Sequence, residues 1–125
     1  TIRILLAEGD PVNKKVARAL LEKRGWMVTC VADGQEAVNA VKQNRYDLIL
    51  IDVQVPEKDC FETTLRIREH DSSLGHYTPI IALAAHPIES DMKNYLEVGI
   101  EGYIKKPINA RELYAAVLQA TGEKR

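Results

Sequence analysis

The sequence predicts an α/β domain in which a five-stranded parallel sheet is doubly wound, with helices on both of its faces. Two observations lead to this prediction. Short apolar runs that do not alternate with polar residues recur along the chain, and such runs suit strands buried on both faces of a parallel sheet. Each run is followed by a stretch with helical periodicity, and this alternation favours right-handed crossovers that cover the sheet on both sides.

Five apolar runs are the predicted strands. In chain order they lie at residues 2–7, 27–31, 48–51 with Val53, 80–85 and 102–104. The first four contain many β-branched residues, as buried strands do. The fifth is weaker, and its place at the end of a regular alternation supports it.

The first helix is predicted over residues 10–24, where both of its ends carry recognisable signals. Asp10 can cap the amino end and Pro11 suits the first helical position, while Gly25 supplies a stop. Four apolar side chains share one face and are expected to turn inward: Val12, Val16, Ala19 and Leu20.

The other four helices are predicted over residues 35–43, 61–70, 89–98 and 110–120. Helical spacing indicates which side chains of each helix face the sheet. They are Ala37, Val38 and Val41 in the second helix; Phe61, Leu65 and Arg68 in the third; Met92, Tyr95 and Leu96 in the fourth; and Leu113, Ala116, Val117 and Ala120 in the fifth.

The length of 125 residues fits a single domain, with a core over about residues 2–120. The chain starts at Thr1 without a methionine and stops soon after its last helical pattern. This favours a domain excised from a longer protein, although processing also removes methionine.

Composition limits the classes of partner. Seventeen basic and eighteen acidic residues give a net charge of −1, so no general attraction to nucleic acid is expected. No apolar run approaches the roughly 20 residues of a membrane span, and no membrane insertion is predicted. Cys30 and Cys60 lack the spacing of a zinc site or a CxxC pair, which favours a reducing, cytoplasmic location.

Charged residues gather where the predicted strands end. Glu8, Gly9 and Asp10 follow the first strand, Asp52 ends the third, and Lys106 follows the fifth. Ligands of doubly wound sheets lie beyond the carboxyl ends of the strands, so these groups are candidates for a site. Taken singly, the aspartate could be an ordinary turn residue and the lysine a solvated surface residue.

Five sequence blocks, in order, carry a resemblance to a known family: "ILLAEGDPVNKKVARALLEKRG", "ADGQEAV", "YDLILIDVQVPEKDCFE", "TPIIALAA" and "GYIKKPI". Over nearly its whole length the chain resembles the receiver domain of two-component response regulators, especially receivers attached to hybrid sensor histidine kinases. The resemblance implies a flavodoxin-like (βα)5 fold. It also implies phosphoryl transfer to an aspartate from the phosphohistidine of a sensor histidine kinase or a histidine phosphotransfer domain, assisted by Mg²⁺.

The resemblance assigns expected roles to residues at matching positions. Asp52 would be the phosphoacceptor, and Lys106, before a Pro107 that the family usually has in cis, would contact the phosphoryl group. Glu8, Asp52 and the main-chain carbonyl of Gln54 would bind Mg²⁺. The chemistry is consistent, because a carboxylate can accept a phosphoryl group only where a cation and fixed donors offset the incoming charge.

Two departures from the family pattern weaken the expected cation site and switch. Gly9 stands where the family has a second metal-binding acid, and Asp10, beside it, either only caps the helix or also helps to bind the cation, directly or through water. Ala84 replaces a serine or threonine whose hydrogen bond to a phosphoryl oxygen would contribute about 1.5–3 kcal/mol.

Two aromatic side chains occupy further positions of interest. Tyr103 matches the family's switch residue; with Ala84 it could lie inward regardless of phosphorylation, or it is only a half-buried aromatic of an edge strand. His86 stands, like Gln54, where family members modulate hydrolysis of the phosphate, and it could position or block water.

Two functions are therefore predicted as alternatives. The first is a phosphate-accepting receiver with weakened metal binding and switching; the second is a phosphorylation-independent pseudo-receiver that acts as a protein-interaction module. The domain itself would be at most a self-phosphorylating phosphoacceptor, and kinase activity would belong to other domains of a parent chain. The resemblance also leaves open a dimer through the face of the fourth helix, fifth strand and fifth helix. A flavin or dinucleotide domain is disfavoured, because "AEGDPVN" is no phosphate-binding loop.

Overall fold

The structure, a computed structural model, describes residues 1–53, 60–85 and 89–122. Strands and helices alternate throughout this part of the chain. Their bounds are β1 (Arg3–Ala7), α1 (Pro11–Lys23), β2 (Met27–Val31), α2 (Gly34–Gln43), β3 (Leu48–Asp52), α3 (Cys60–Leu74), β4 (Ile80–Ala84), α4 (Glu89–Val98), β5 (Gly102–Lys105) and α5 (Ala110–Thr121).

The five strands form one parallel sheet in the order β2-β1-β3-β4-β5. The predicted fold class is therefore confirmed. The chain leaves β1 outward to β2, returns to β3, and continues in the opposite direction, so the strand order reverses between β1 and β3. Ala7 pairs with Ile51 across this boundary. Glu8 and Asp52, the next residues, consequently lie side by side at the point where such sheets bind ligands.

Side chains of each central strand alternate between two apolar layers. Leu5 and Ala7 of β1 belong to the layer that includes residues of α2, α3 and α4, while Ile4 and Leu6 belong to the layer shared with α1 and α5. All four side chains are fully buried. Because both faces of the sheet are covered, the residues of β1 and β3 between Arg3 and Asp52 are apolar.

The predicted ends of the first helix are confirmed. Asp10 caps α1 by accepting a hydrogen bond from the Val12 N–H at 3.0 Å, and Gly25 follows the helix with φ of +83°. The predicted apolar face is only partly correct, because Leu20 packs against the core but Val12 and Val16 are 69% and 43% exposed. The buried side chains of α1 are Ala17 and Leu21, each one residue further along the helix than Val16 and Leu20.

The stripe predicted for α3 is buried only in part, since Phe61 packs against the core and Leu65 does not. Leu65 is 50% exposed, and the buried face carries Cys60, Thr63, Thr64, Ile67 and Asp71. Three of these residues are polar, so a rule that counts apolar spacing does not find them. The predicted inward faces of α2 and α5 are confirmed. In α4, Tyr95 is buried and Leu96 is 61% exposed, while the side chain of Met92 lies outside what the structure describes.

None of the described helices is long and apolar enough to cross a membrane.

Candidate functional site

Two carboxylates lie together at the carboxyl ends of β1 and β3. Glu8 is fully buried and its main-chain N–H donates to the Val31 carbonyl at 3.0 Å, which extends the β1–β2 ladder by one residue. Asp52, the last residue of β3, is 6% exposed. Two neighbouring carboxylates with so little access to water cannot both ionise cheaply unless a positive charge is close.

Lys106 supplies that positive charge. Its Nζ donates a hydrogen bond to Asp52 Oδ2 at 2.9 Å and lies 3.1 Å from Glu8 Oε2, and its side chain is only 12% exposed. The backbone holds it in place, since the Lys106 N–H donates to the Ala84 carbonyl at 3.0 Å. The Lys106–Pro107 bond is cis, as the resemblance implied. Lys105 is exposed to solvent.

The electrostatic balance of this group favours one more positive charge. Burial, followed by the hydrogen bond and charge of Asp52, raises the pKa of Glu8 from 4.5 to about 7, against the lowering effects of the Asp10 main-chain hydrogen bond and of Lys106. Burial lowers the pKa of Lys106, but its close contacts with the charged Asp52 and Glu8 outweigh this effect and the net shift is upward. At neutral pH a single ammonium therefore serves two carboxylates, one of which still binds a proton readily.

The same two carboxylates offer part of the set of oxygen ligands that a magnesium ion takes. Glu8 Oε2 accepts no well-aligned hydrogen bond from any described residue, although Lys106 is its ion-pair partner. A buried oxygen with unused lone pairs next to a second carboxylate suits Mg²⁺, which commonly takes one or two carboxylates and keeps several waters. Within the described ranges there is no group of three acid, histidine or cysteine side chains that could hold a metal.

Gly9 and Asp10 follow Glu8 at the surface. Both oxygens of Asp10 are used by the helix it caps, since Oδ1 accepts from the Val12 N–H and Oδ2 accepts from Asn13 Nδ2 at 2.9 Å. The Asp10 N–H donates to Glu8 Oε1 at 3.2 Å. This contact, in which the residue after the glycine orients the buried glutamate, was not predictable from the spacing of residues along the chain. A role of Asp10 in cation binding stays a prediction.

The remaining candidates lie around this centre or outside the described residues. Ala84 is 2% exposed at the end of β4, and Tyr103 of β5 is 46% exposed. The inward position considered for the tyrosine is thus not the one in this structure. Gln54 and His86 lie outside the described residues, so the expected carbonyl ligand and the expected effect on water stay predictions.

Comparison with known proteins identifies the family of this chain. The model of the response regulator receiver domain family matches residues 4–118. The chain belongs to this family. Receiver domains are the phosphorelay modules of two-component signalling, and the family-level prediction is confirmed.

Relatives of this receiver domain include large histidine kinases. It is 37% identical to hybrid signal transduction histidine kinase I of Dictyostelium discoideum, over 92% of this chain and 7% of that protein. It is 38% identical to the sensor protein GacS of Pseudomonas syringae pv. syringae, over 96% of this chain and 13% of that protein. The chain therefore spans only about a tenth of the length of these curated relatives.

Solved structures give the same result. The receiver domain of the sensor histidine kinase PA1611 of Pseudomonas aeruginosa PAO1, with a magnesium ion coordinated in its active site cleft, is 38% identical and superposes with a TM-score of 0.87 over 98% of both chains. The receiver domain of the Saccharomyces cerevisiae response regulator Ssk1, solved with the phosphotransfer protein Ypd1, is 26% identical with a TM-score of 0.91, over 98% of this chain and 90% of that one.

Proposed function

We propose that this receiver domain accepts a phosphoryl group on Asp52 from the phosphohistidine of a partner protein, with Mg²⁺ bound by Glu8 and Asp52. The observation that carries the proposal is the contact of the Lys106 ammonium with both carboxylates, at the place where the strand order of the sheet reverses. An arrangement used only for folding would gain little from it, because a buried carboxylate pair is expensive to maintain.

The transfer exchanges one bond to phosphorus for another. A carboxylate oxygen of Asp52 forms the new P–O bond while the P–N bond of the phosphohistidine breaks, and the electron pair of that bond stays on the imidazole. Lys106 offsets charge on the phosphoryl oxygens, which spread negative charge in the transition state. Mg²⁺, when bound, supplies further positive charge for the same oxygens. The magnesium ion in the PA1611 receiver supports this assignment.

Weak metal binding is part of the proposal. Gly9 has no side chain where the family pattern has an acid, and the oxygens of Asp10 are engaged in the cap. We also propose that phosphorylation changes the conformation of the domain only weakly, because the buried Ala84 has no hydroxyl to donate to a phosphoryl oxygen.

The proposed phosphoryl donor is a sensor histidine kinase or a histidine phosphotransfer domain, in the cytoplasm. The kinases among the relatives and the Ssk1–Ypd1 complex support this class of partner. Cys30 and Cys60, which form no disulfide, suit a reducing compartment. Val12 and Val16 give α1 an exposed apolar face that starts beside the site. Other domains of a parent chain, and a dimer through α4, β5 and α5, where Leu96 and Tyr103 are exposed, belong to the same proposal.

The test is incubation with acetyl phosphate and Mg²⁺ followed by intact mass measurement. The wild type is expected to gain one phosphoryl group and Asp52→Asn none. Glu69→Gln, which changes an exposed carboxylate of α3, is expected to behave as the wild type does. No gain in the wild type with either acetyl phosphate or a phosphorylated phosphotransfer domain would leave the phosphorylation-independent interaction module as the function. A gain that persists in Asp52→Asn would refute the assignment of the acceptor.

A further inference from the structure

A cavity of about 150 Å³ opens at the end of the domain opposite the acidic site. It lies between the connection from α2 to β3 and the connection from α3 to β4. Ile49, near the start of β3, and Thr78, just before β4, are among its lining residues. Because Asp52 ends β3, the strand separates the cavity from the phosphoacceptor site, and neither the family comparison nor the proposed phosphoryl transfer gives the cavity a role.

The floor of the cavity is apolar. Val41, Tyr46 and Ile49 line it and are 8%, 5% and 0% exposed, respectively, while Leu74 on α3 is 55% exposed. In other proteins, an apolar cavity of about this volume accepts a single six-membered ring. The floor therefore matches a compact apolar group and is too small for a peptide or a nucleotide.

The rest of the lining carries basic side chains with nitrogen donors. Lys42, Arg45, His70 and His76 line the cavity, and their side chains have no hydrogen-bond or ion-pair partner in the part of the chain that the structure describes. The lysine and arginine are exposed, so both carry their charge in water.

The acid that lines the cavity does not balance these donors. Asp71 is 3% exposed, and its Oδ2 accepts the Thr78 N–H at 2.8 Å and lies 3.5 Å from Arg68 Nη1. Its charge is thus already compensated from the side of α3 and the β4 connection. The positive charge of Lys42 and Arg45 remains available to a ligand.

We propose that this cavity binds a small organic anion, namely a carboxylate attached to a compact ring. The ring would rest on Val41, Tyr46 and Ile49, and the carboxylate would meet Arg45, which can bind it with two parallel hydrogen bonds, and Lys42. Small-ligand sites combine an apolar lining with a few placed polar groups in this way. An inorganic anion would leave the floor unfilled, and a neutral ring would leave the charges unpaired.

The test uses benzoate as the probe, with acetate and benzyl alcohol as matched probes that lack the ring or the charge. Amide resonances of the isotope-labelled wild-type domain are followed by NMR during titration to millimolar concentrations. We expect saturable shifts confined to residues 41–46 and 70–78 with benzoate, and at least tenfold weaker binding of the other two. Absence of saturable benzoate shifts in these residues, or equal binding of benzyl alcohol, would overturn the proposal.

Charge-reversal variants locate the anion. Lys42→Glu combined with Arg45→Glu changes two exposed side chains and is expected to weaken benzoate binding at least tenfold. The matched control is Lys15→Glu combined with Lys23→Glu, which makes the same change of net charge on the exposed surface of α1 and is expected to bind as the wild type does. Equal affinity in the two double variants would refute the site. The phosphorylation yield with acetyl phosphate is expected to stay unchanged in all of them, so this result does not depend on the proposed function.

Discussion

Replacing Glu8 by glutamine is expected to abolish a large part of the pH dependence of stability. In the folded domain the pKa of Glu8 is about 7, and it is 4.5 without the influence of the fold. Between these pH values the folded state binds more protons than the unfolded state, so the free energy of unfolding falls as pH rises. The stabilising contribution is complete below pH 4.5 and is lost as pH rises through 7.

The size of the effect follows from the two pKa values. One pKa unit corresponds to about 1.4 kcal/mol, so the rise from 4.5 to about 7 amounts to about 3 kcal/mol. Glutamine keeps the shape of the side chain and stays neutral. Glu8→Gln should therefore match the wild type near pH 4.5 and exceed it by up to about 3 kcal/mol above pH 7 in the absence of Mg²⁺.

Urea unfolding across this pH range, followed by the fluorescence of Trp26, measures the difference. Trp26 suits the purpose because it is partly buried and its ring lies 5.9 Å from that of Tyr114, so unfolding changes its surroundings. The control is Glu69→Gln on the exposed surface of α3, whose pH profile should follow that of the wild type. Parallel profiles of wild type and Glu8→Gln, or a loss of stability in this variant above pH 7, would refute the reasoning.

Three further predictions concern the same site and one distant turn. Gly9→Asp should raise Mg²⁺ affinity at least tenfold, as measured by Mg²⁺ titration of Trp26 fluorescence or NMR shifts, and should increase the phosphorylation yield measured by intact mass. Gly9→Asn should give little of either. No change in the aspartate variant would refute the proposal that the missing acid weakens metal binding. Lys106→Met should lower the free energy of unfolding by about 3 kcal/mol at pH 8, because two buried carboxylates lose their cation. In the same urea experiment, Lys105→Met, which changes an exposed lysine, should lower it only slightly. Equal effects of the two substitutions would contradict the ion-pair account. Gly99→Ala should destabilise the domain by about 1–3 kcal/mol in thermal or urea unfolding, because φ is +102° and the new Cβ would lie 2.7 Å from Arg68 Nε. Gly25→Ala should destabilise it less, because φ is +83° and a new Cβ would meet nothing within 4 Å. A larger loss of stability in Gly25→Ala would contradict the steric argument.

The sequence predicted the elements of the fold because their signals are local. The aspartate, proline and glycine at the ends of α1 act on backbone groups next to them, so the helix bounds follow from the sequence. The inward faces of α1 and α3 depended on packing across the sheet. Val12 is exposed and Thr64 is buried, and neither result follows from counting apolar residues.

The convergence of Glu8, Asp52 and Lys106 was predictable because parallel strands end at the same edge of a sheet. The pKa values and contacts of these three residues were not predictable from the sequence. The raised pKa of Glu8 depends on complete burial and on the distance to Asp52, and its contact with the Asp10 N–H depends on the path of the backbone through Gly9. Such quantities are set by the assembled site and not by the spacing of residues along the chain.

The most direct test of the central claim is to locate the phosphoryl group. After reaction with acetyl phosphate and Mg²⁺, borohydride reduces an aspartyl phosphate to homoserine, and peptide mass mapping then identifies the modified residue. We expect homoserine at position 52, in much lower yield in Lys106→Met than in Lys105→Met. Modification of a different carboxylate, or an equal yield at position 52 in both lysine variants, would contradict the proposal that Lys106 and Glu8 make Asp52 a phosphoacceptor.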